Sequence, residues 1–175
     1  MNIYYTVALV FGVTVDSFIL GKHIKDKLIF SLLIVSFTHL IFFYAGLHTG
    51  VFFYEIIGPF IHWFALAIFL YLAGDAARNF FKEKKFTLTD DLKKIILITI
   101  PLSIDAFAVS ASSRSLIANP ILALILVAIF APLFCYLGYE SIHRLVKISH
   151  RTFYFLETIF FLVLAINIYY NHILI

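Results

Sequence analysis

The chain is poor in sulfur, charge and helix breakers. Its single cysteine, Cys135, excludes a disulfide framework and any cysteine-rich metal site. Only 13% of its residues are charged, against 63% hydrophobic, and the mean hydropathy is +1.02. A soluble domain of this length cannot hide that much apolar surface, whereas a bilayer accepts it. No Walker loop, glycine-rich dinucleotide turn or H-E-x-x-H string occurs, so nothing supports nucleotide-driven transport or a zinc protease. At 20.1 kDa there is no room for a soluble catalytic domain beside the apolar segments, and no nucleophile–base pairing is visible. An enzyme, a resident cofactor and a nucleic-acid partner are therefore not expected. The first apolar stretch lacks a basic leader and an A-x-A-like cleavage site, so it reads as a retained helix rather than a signal peptide.

Six apolar segments are present, at 3–21, 28–53, 60–81, 95–113, 116–139 and 152–172. Each approaches or exceeds the roughly 20 residues that a helix needs to span a bilayer. The second is too long for one straight span and either tilts or ends in the interface near Phe52-Phe53-Tyr54. Twelve of the 13 basic residues fall on alternate connections. Lys22, Lys25 and Lys27 follow segment one; Arg78, Lys82, Lys84, Lys85, Lys93 and Lys94 flank the third connection; Arg144, Lys147 and Arg151 precede segment six. Arg114 is the exception. The positive-inside rule makes those connections cytoplasmic and puts both termini outside. The expected fold is an all-α integral membrane protein with six transmembrane helices. Its two three-helix repeats, 1–81 and 95–175, have inverted topology and are joined by a charged linker, 82–94, where Thr89 or Asp90 caps a helical turn. Inverted repeats are a common transporter architecture with the substrate site near the midplane. A bacterial cytoplasmic (inner) membrane is the expected location.

Two aspartates sit inside apolar segments in matching contexts, 89 positions apart. One lies in Thr14-Val15-Asp16-Ser17-Phe18, the other in Ser103-Ile104-Asp105-Ala106-Phe107. A carboxylate at bilayer depth costs about a few kcal/mol or more, so it marks a polar interior and a function. Carboxylate oxygens suit hard divalent cations. Thr14, Ser17, Ser103 and Ser110 are candidate supporting oxygens, and Pro101 frees a backbone carbonyl one turn before Asp105. His39, midway along segment two, is a candidate metal ligand or proton acceptor, or a neutral histidine bonded to a neighbouring carbonyl. Asp75 and Glu157, toward the cytoplasmic ends of segments three and six, form a candidate acidic entrance that raises local cation concentration. The bland alternative has them reach headgroups or pair with nearby arginines. His48 falls near the outer surface.

The string Leu102-Ser103-Ile104-Asp105-Ala106-Phe107-Ala108-Val109-Ser110 resembles the repeated D-A-F-A-x-S element of the bacterial manganese efflux pump family, MntP type, within the lysine-exporter-like transporters. His62-Trp63-Phe64-Ala65 through Leu72-Ala73-Gly74 is similar to that family's third helix. The resemblance implies Mn²⁺ export from the cytoplasm, with Asp16 and Asp105 handling the ion. The chain departs from the family's pattern at several places. Lys25 and Arg114 replace glycines, His39 stands for a glutamate, Phe43 for a proline, and Glu157-Thr158 for a glycine pair. The His39 exchange shifts the expected site toward Zn²⁺, Ni²⁺ or Co²⁺.

The leading expectation is a secondary exporter of divalent metal, manganese first, with Asp16, Asp105 and His39 as ligands and protons as a candidate counter-ion. Asp105, in the better preserved motif, is the stronger of the two aspartates. An exporter of a small organic cation or amino acid, and a non-transporting scaffold or sensor, are the alternatives.

Overall fold

A computed structural model describes residues 3–81, 88–89, 91–117, 119–143 and 150–170. Most of the linker, including Asp90, and Arg144 and Lys147 lie outside the described residues. The described chain is all-helical: α1 (Ile3–Thr14), α2 (Ser17–Gly21), α3 (Leu28–Ile57), α4 (Ile61–Phe81), α5 (Leu92–Ser112), α6 (Pro120–His143) and α7 (His150–Ile168), with 3₁₀ turns at Gly58–Phe60 and Arg114–Leu116. Five stretches are long and apolar enough to cross a membrane, counting α1 and α2 together, and a shorter apolar helix runs over Tyr154–Ile168. The second segment is one unbroken helix of 30 residues, about 45 Å at 1.5 Å per residue. That exceeds the hydrocarbon thickness and agrees with a tilted or interface-ending span.

The first segment differs from its expectation. It is not one continuous helix but breaks at Val15-Asp16. The Thr14 hydroxyl donates to the carbonyls of Val10 (2.8 Å) and Phe11 (3.3 Å). Beyond it the chain tightens into i→i+3 bonds, Phe18 N to Val15 O at 3.1 Å and Ile19 N to Asp16 O at 2.9 Å. A hydroxyl competing for helix carbonyls, followed by a 3₁₀ turn, is a recognised cause of a local break.

The fourth helix begins at Leu92, three residues before the expected bound at 95. Asp91 caps α5, its Oδ1 accepting from Lys93 N at 3.0 Å. Thr89 instead accepts from Asp91 N at 3.2 Å and makes a parallel bridge with Ile24. Thr89 N donates to His23 O at 2.8 Å, and Lys25 N to Thr89 O at 3.3 Å. The first basic connection and the start of α5 are thus stitched together at one end of the molecule. Arg114 lies at the other end, beside Val51, Tyr54 and Glu55.

Packing runs mainly between the halves. α3 lies along α5, α4 along α7, and α6 against α3, α1 and α2, while contacts within either half are sparse. Many buried positions of the two halves correspond, though buried Gly12 and Val15 answer to exposed Pro101 and Ile104. At a spacing of 89, buried Val10, Thr14 and Leu20 match Thr99, Ser103 and Val109. At 92, Val35, His39 and Phe43 match Val127, Ala131 and Cys135, and Ala65, Phe69 and Leu72 match Glu157, Phe161 and Leu164. Phe69 and Phe161 stack on each other with centroids 6.1 Å apart. Two close crossings repeat the correspondence. A Cβ on Gly46 would collide with the Phe107 carbonyl, and one on Gly138 with the Phe18 carbonyl. Each phenylalanine stands two residues after an aspartate. Small residues are what allow membrane helices to approach this closely.

Candidate metal centre

The break in the first segment puts Asp16 between two helical pieces. Asp16 is 4% exposed, and neither carboxylate oxygen receives a hydrogen bond. From α3 comes His39, fully buried, with Nε2 3.6 Å from Asp16 Oδ1. That gap is too long for a hydrogen bond. Ser17 Oγ lies 3.3 Å from the same Nε2. On the far side of the ring, Nδ1 is 3.1 Å from Val35 O and 3.1 Å from Ser103 Oγ, and the Ser103 hydroxyl donates to Thr99 O at 3.0 Å. Asp16, Ser17, His39 and Ser103 therefore converge from three segments.

Asp105 is only partly buried, on a helix that continues unbroken through Pro101. Its electrostatic interactions reach Asp16, Asp75 and His39. It is less buried than Asp16, although its motif is the better preserved of the two. Tyr154, 3% exposed on α7, interacts electrostatically with Glu157, Asp16 and Asp75. Asp75 is exposed and accepts from Asn79 Nδ2 at 2.7 Å; Glu157 is 8% exposed. These carboxylates extend the acidic neighbourhood from Asp16 toward α4 and α7.

Two other expected supporters turn elsewhere. Thr14 is spent on its own helix, as described above. Ser110 Oγ donates to Phe107 O at 3.1 Å and abuts Gly46, seven residues along α3 from His39 and so about 10 Å away. Pro101 is exposed. Among the described residues no group of three or more His, Cys, Asp and Glu side chains is close enough to hold a metal ion by itself. The tight centre is one carboxylate and one imidazole, with hydroxyls beside them. The sequence reading missed Thr99 and Tyr154. Thr99 had a signal, a hydroxyl four residues before Ser103. Tyr154 had none.

Lys22, just beyond the first segment, is 5% exposed with Nζ 4.9 Å above the Phe18 ring. Desolvation lowers its pKa.

Apolar helices long enough to cross a bilayer, enclosing carboxylates and an imidazole, define a multi-pass membrane protein with a polar interior site. The family model described as "Putative manganese efflux pump" matches residues 21–169, and the chain belongs to this MntP-type family of metal efflux transporters. The matched range includes His39, Asp75, Asp105 and Glu157; Asp16 precedes it. No curated protein and no solved structure matches the chain.

Proposed function

We propose that the protein is a secondary exporter of divalent metal ions, manganese being the family's ion, and that the ion binds between Asp16 and His39 with Asp105 beside it. The observation that carries this reading is the buried Asp16 carboxylate, whose two oxygens have no hydrogen-bond donor while His39 Nε2 stands 3.6 Å away. Two donor atoms about 2.1 Å from one ion, at a tetrahedral angle, lie about 3.4 Å apart. The gap therefore fits a shared ion. Asp75 and Glu157 draw cations toward the centre from the α4–α7 side.

The matching buried faces and the doubled glycine crossings support two three-helix repeats, 1–81 and 95–175, with six spans and inverted topology. The stitched basic connections support placing that end in the cytoplasm of a bacterial inner membrane, with both termini outside. Rocking of one repeat against the other then exposes the site alternately, with protons as the counter-ion.

The test is cellular metal content under Mn²⁺, Zn²⁺, Co²⁺ and Ni²⁺ challenge in cells lacking metal exporters. Wild type lowers at least one ion, and Asp16→Asn abolishes the effect. If wild type lowers none, metal export is wrong. If Asp16→Asn still exports at the wild-type rate, the site is wrong.

A further inference from the structure

His39 turns Nε2 toward Asp16, and its surroundings favour a proton on the other ring nitrogen. Val35 O, 3.1 Å from Nδ1, can only accept a hydrogen bond. Ser103 Oγ, also 3.1 Å from Nδ1, directs its own proton to Thr99 O. The carbonyl therefore requires a donor at Nδ1, and Ser103 Oγ can accept from the same nitrogen. In the neutral ring the proton sits there and Nε2 keeps its lone pair, the tautomer being assigned from the hydrogen-bond network. Ser17 Oγ, at 3.3 Å, is free to donate to that nitrogen at the edge of its approach. The remaining neighbour, Asp16 Oδ1 at 3.6 Å, is an acceptor whose carboxylate is buried without any donor. A lone pair facing a carboxylate is an unfavourable contact that a proton or a metal cation between them resolves, and the two compete for the same place.

We infer that His39 is the residue that sets ion preference. Its Nε2 coordinates the transported ion opposite Asp16 Oδ1 and biases the site toward borderline divalent ions that accept imidazole nitrogen, Zn²⁺ and Co²⁺, at the expense of Mn²⁺. This rests on the reading that Asp16 and His39 hold the cargo. Manganese favours oxygen donors, while zinc and cobalt gain more from an imidazole. A neutral ligand in place of a second carboxylate also withdraws a charge on which a hard ion relies. The nitrogen is supplied once. The residue that corresponds to His39 in the other half is Ala131, equally buried, so the centre takes a single ion in an uneven donor set. Ser103 and Val35 act as positioning groups that hold Nδ1 protonated and aim Nε2.

Nearly any nitrogen–oxygen site binds Zn²⁺ more tightly than Mn²⁺, so the informative quantity is a change in ratio. Binding of Mn²⁺, Zn²⁺ and Co²⁺ to purified full-length protein in lipid nanodiscs is to be measured by competition, with the visible spectrum of the Co²⁺ complex as a readout independent of transport. His39→Glu is expected to move the Zn²⁺-to-Mn²⁺ affinity ratio toward Mn²⁺ by about tenfold or more, the usual scale for a change around a bound metal, and to alter the Co²⁺ spectrum. Ser103→Ala, which leaves the imidazole in place, is expected to weaken Co²⁺ binding by about tenfold, and it decides the matter if His39→Glu does not elute as a single species. An unchanged ratio and an unchanged Co²⁺ spectrum in His39→Glu, or unchanged Co²⁺ affinity in Ser103→Ala where that variant decides, overturn the inference while leaving the exporter reading standing. Asp16→Asn that binds every ion as wild type does overturns that reading as well.

Discussion

The two halves share many buried positions but carry different chemistry. Thr14 and Ser103, Gly46 and Gly138, and Phe69 and Phe161 occupy matching places. Yet His39 answers to Ala131 and Glu157 to Ala65. Asp16 lies in a break and is wholly buried, whereas Asp105 rides on an unbroken helix and is partly exposed. Packing is governed by volume and close approach, which two halves can share. A site for one ion needs its donors only once, and so is free to become lopsided. The result is a scaffold with similar halves around an uneven centre.

The largest expected effect separates the aspartates. Asp16→Asn should reduce metal export to background, while Asp105→Asn, acting from the border, should reduce it by about tenfold. Cellular manganese and zinc content after a metal load is the measurement. Equal losses would make the centre symmetric and break the comparison.

The packing side predicts the opposite, equality. Gly46→Ala and Gly138→Ala each drive a methyl into a carbonyl of a facing helix and should each cost about 1–3 kcal/mol, the scale of overpacking. Gly74→Ala, with nothing within 4 Å of its Cβ position, should be neutral or stabilising by up to about 1 kcal/mol, from helix propensity. Thermal unfolding in detergent tests all three. A large difference between the two crossings would mean that the halves do not pack alike.

Glu157→Gln should weaken export at low metal several-fold. Two unit charges separated by about 10 Å interact by on the order of 1 kcal/mol at the effective dielectric of a protein. Concentration dependence of transport in proteoliposomes reads this out, and Ala65→Gln is the matched control expected to act through packing alone. Thr14→Val is the smallest change. It removes the hydroxyl bonded to Val10 O and should cost about 1 kcal/mol. Unfolding measurements check the cost, and its sign tells whether that hydroxyl stabilises the break.

Much of this architecture was legible in the residues. Apolar length is a local property and gives the long apolar helices, and the structure joins the first basic connection to the start of α5. The matched aspartates revealed the 89-residue spacing, and His39 stood out as a polar residue in midspan. The break at Asp16 was not legible, because it depends on which carbonyls the Thr14 hydroxyl takes once the helix is packed. The difference in burial between the two aspartates was not legible for a related reason. Motif preservation reports on sequence, whereas burial is set by neighbours. The first segment is enclosed by α5, α6 and α7, while α5 leaves Pro101 and Ile104 exposed. The orientation of the imidazole was equally out of reach, since it depends on Val35, Thr99 and Ser103 meeting across two helices.

X-ray absorption by Zn²⁺ bound to the purified protein counts the donor types around the ion. The account predicts one imidazole nitrogen among oxygen donors at about 2.0–2.2 Å, with the imidazole signal lost in His39→Ala and the remaining shell disturbed in Asp16→Asn. An all-oxygen shell that neither substitution changes would place the ion elsewhere and contradict the lopsided centre.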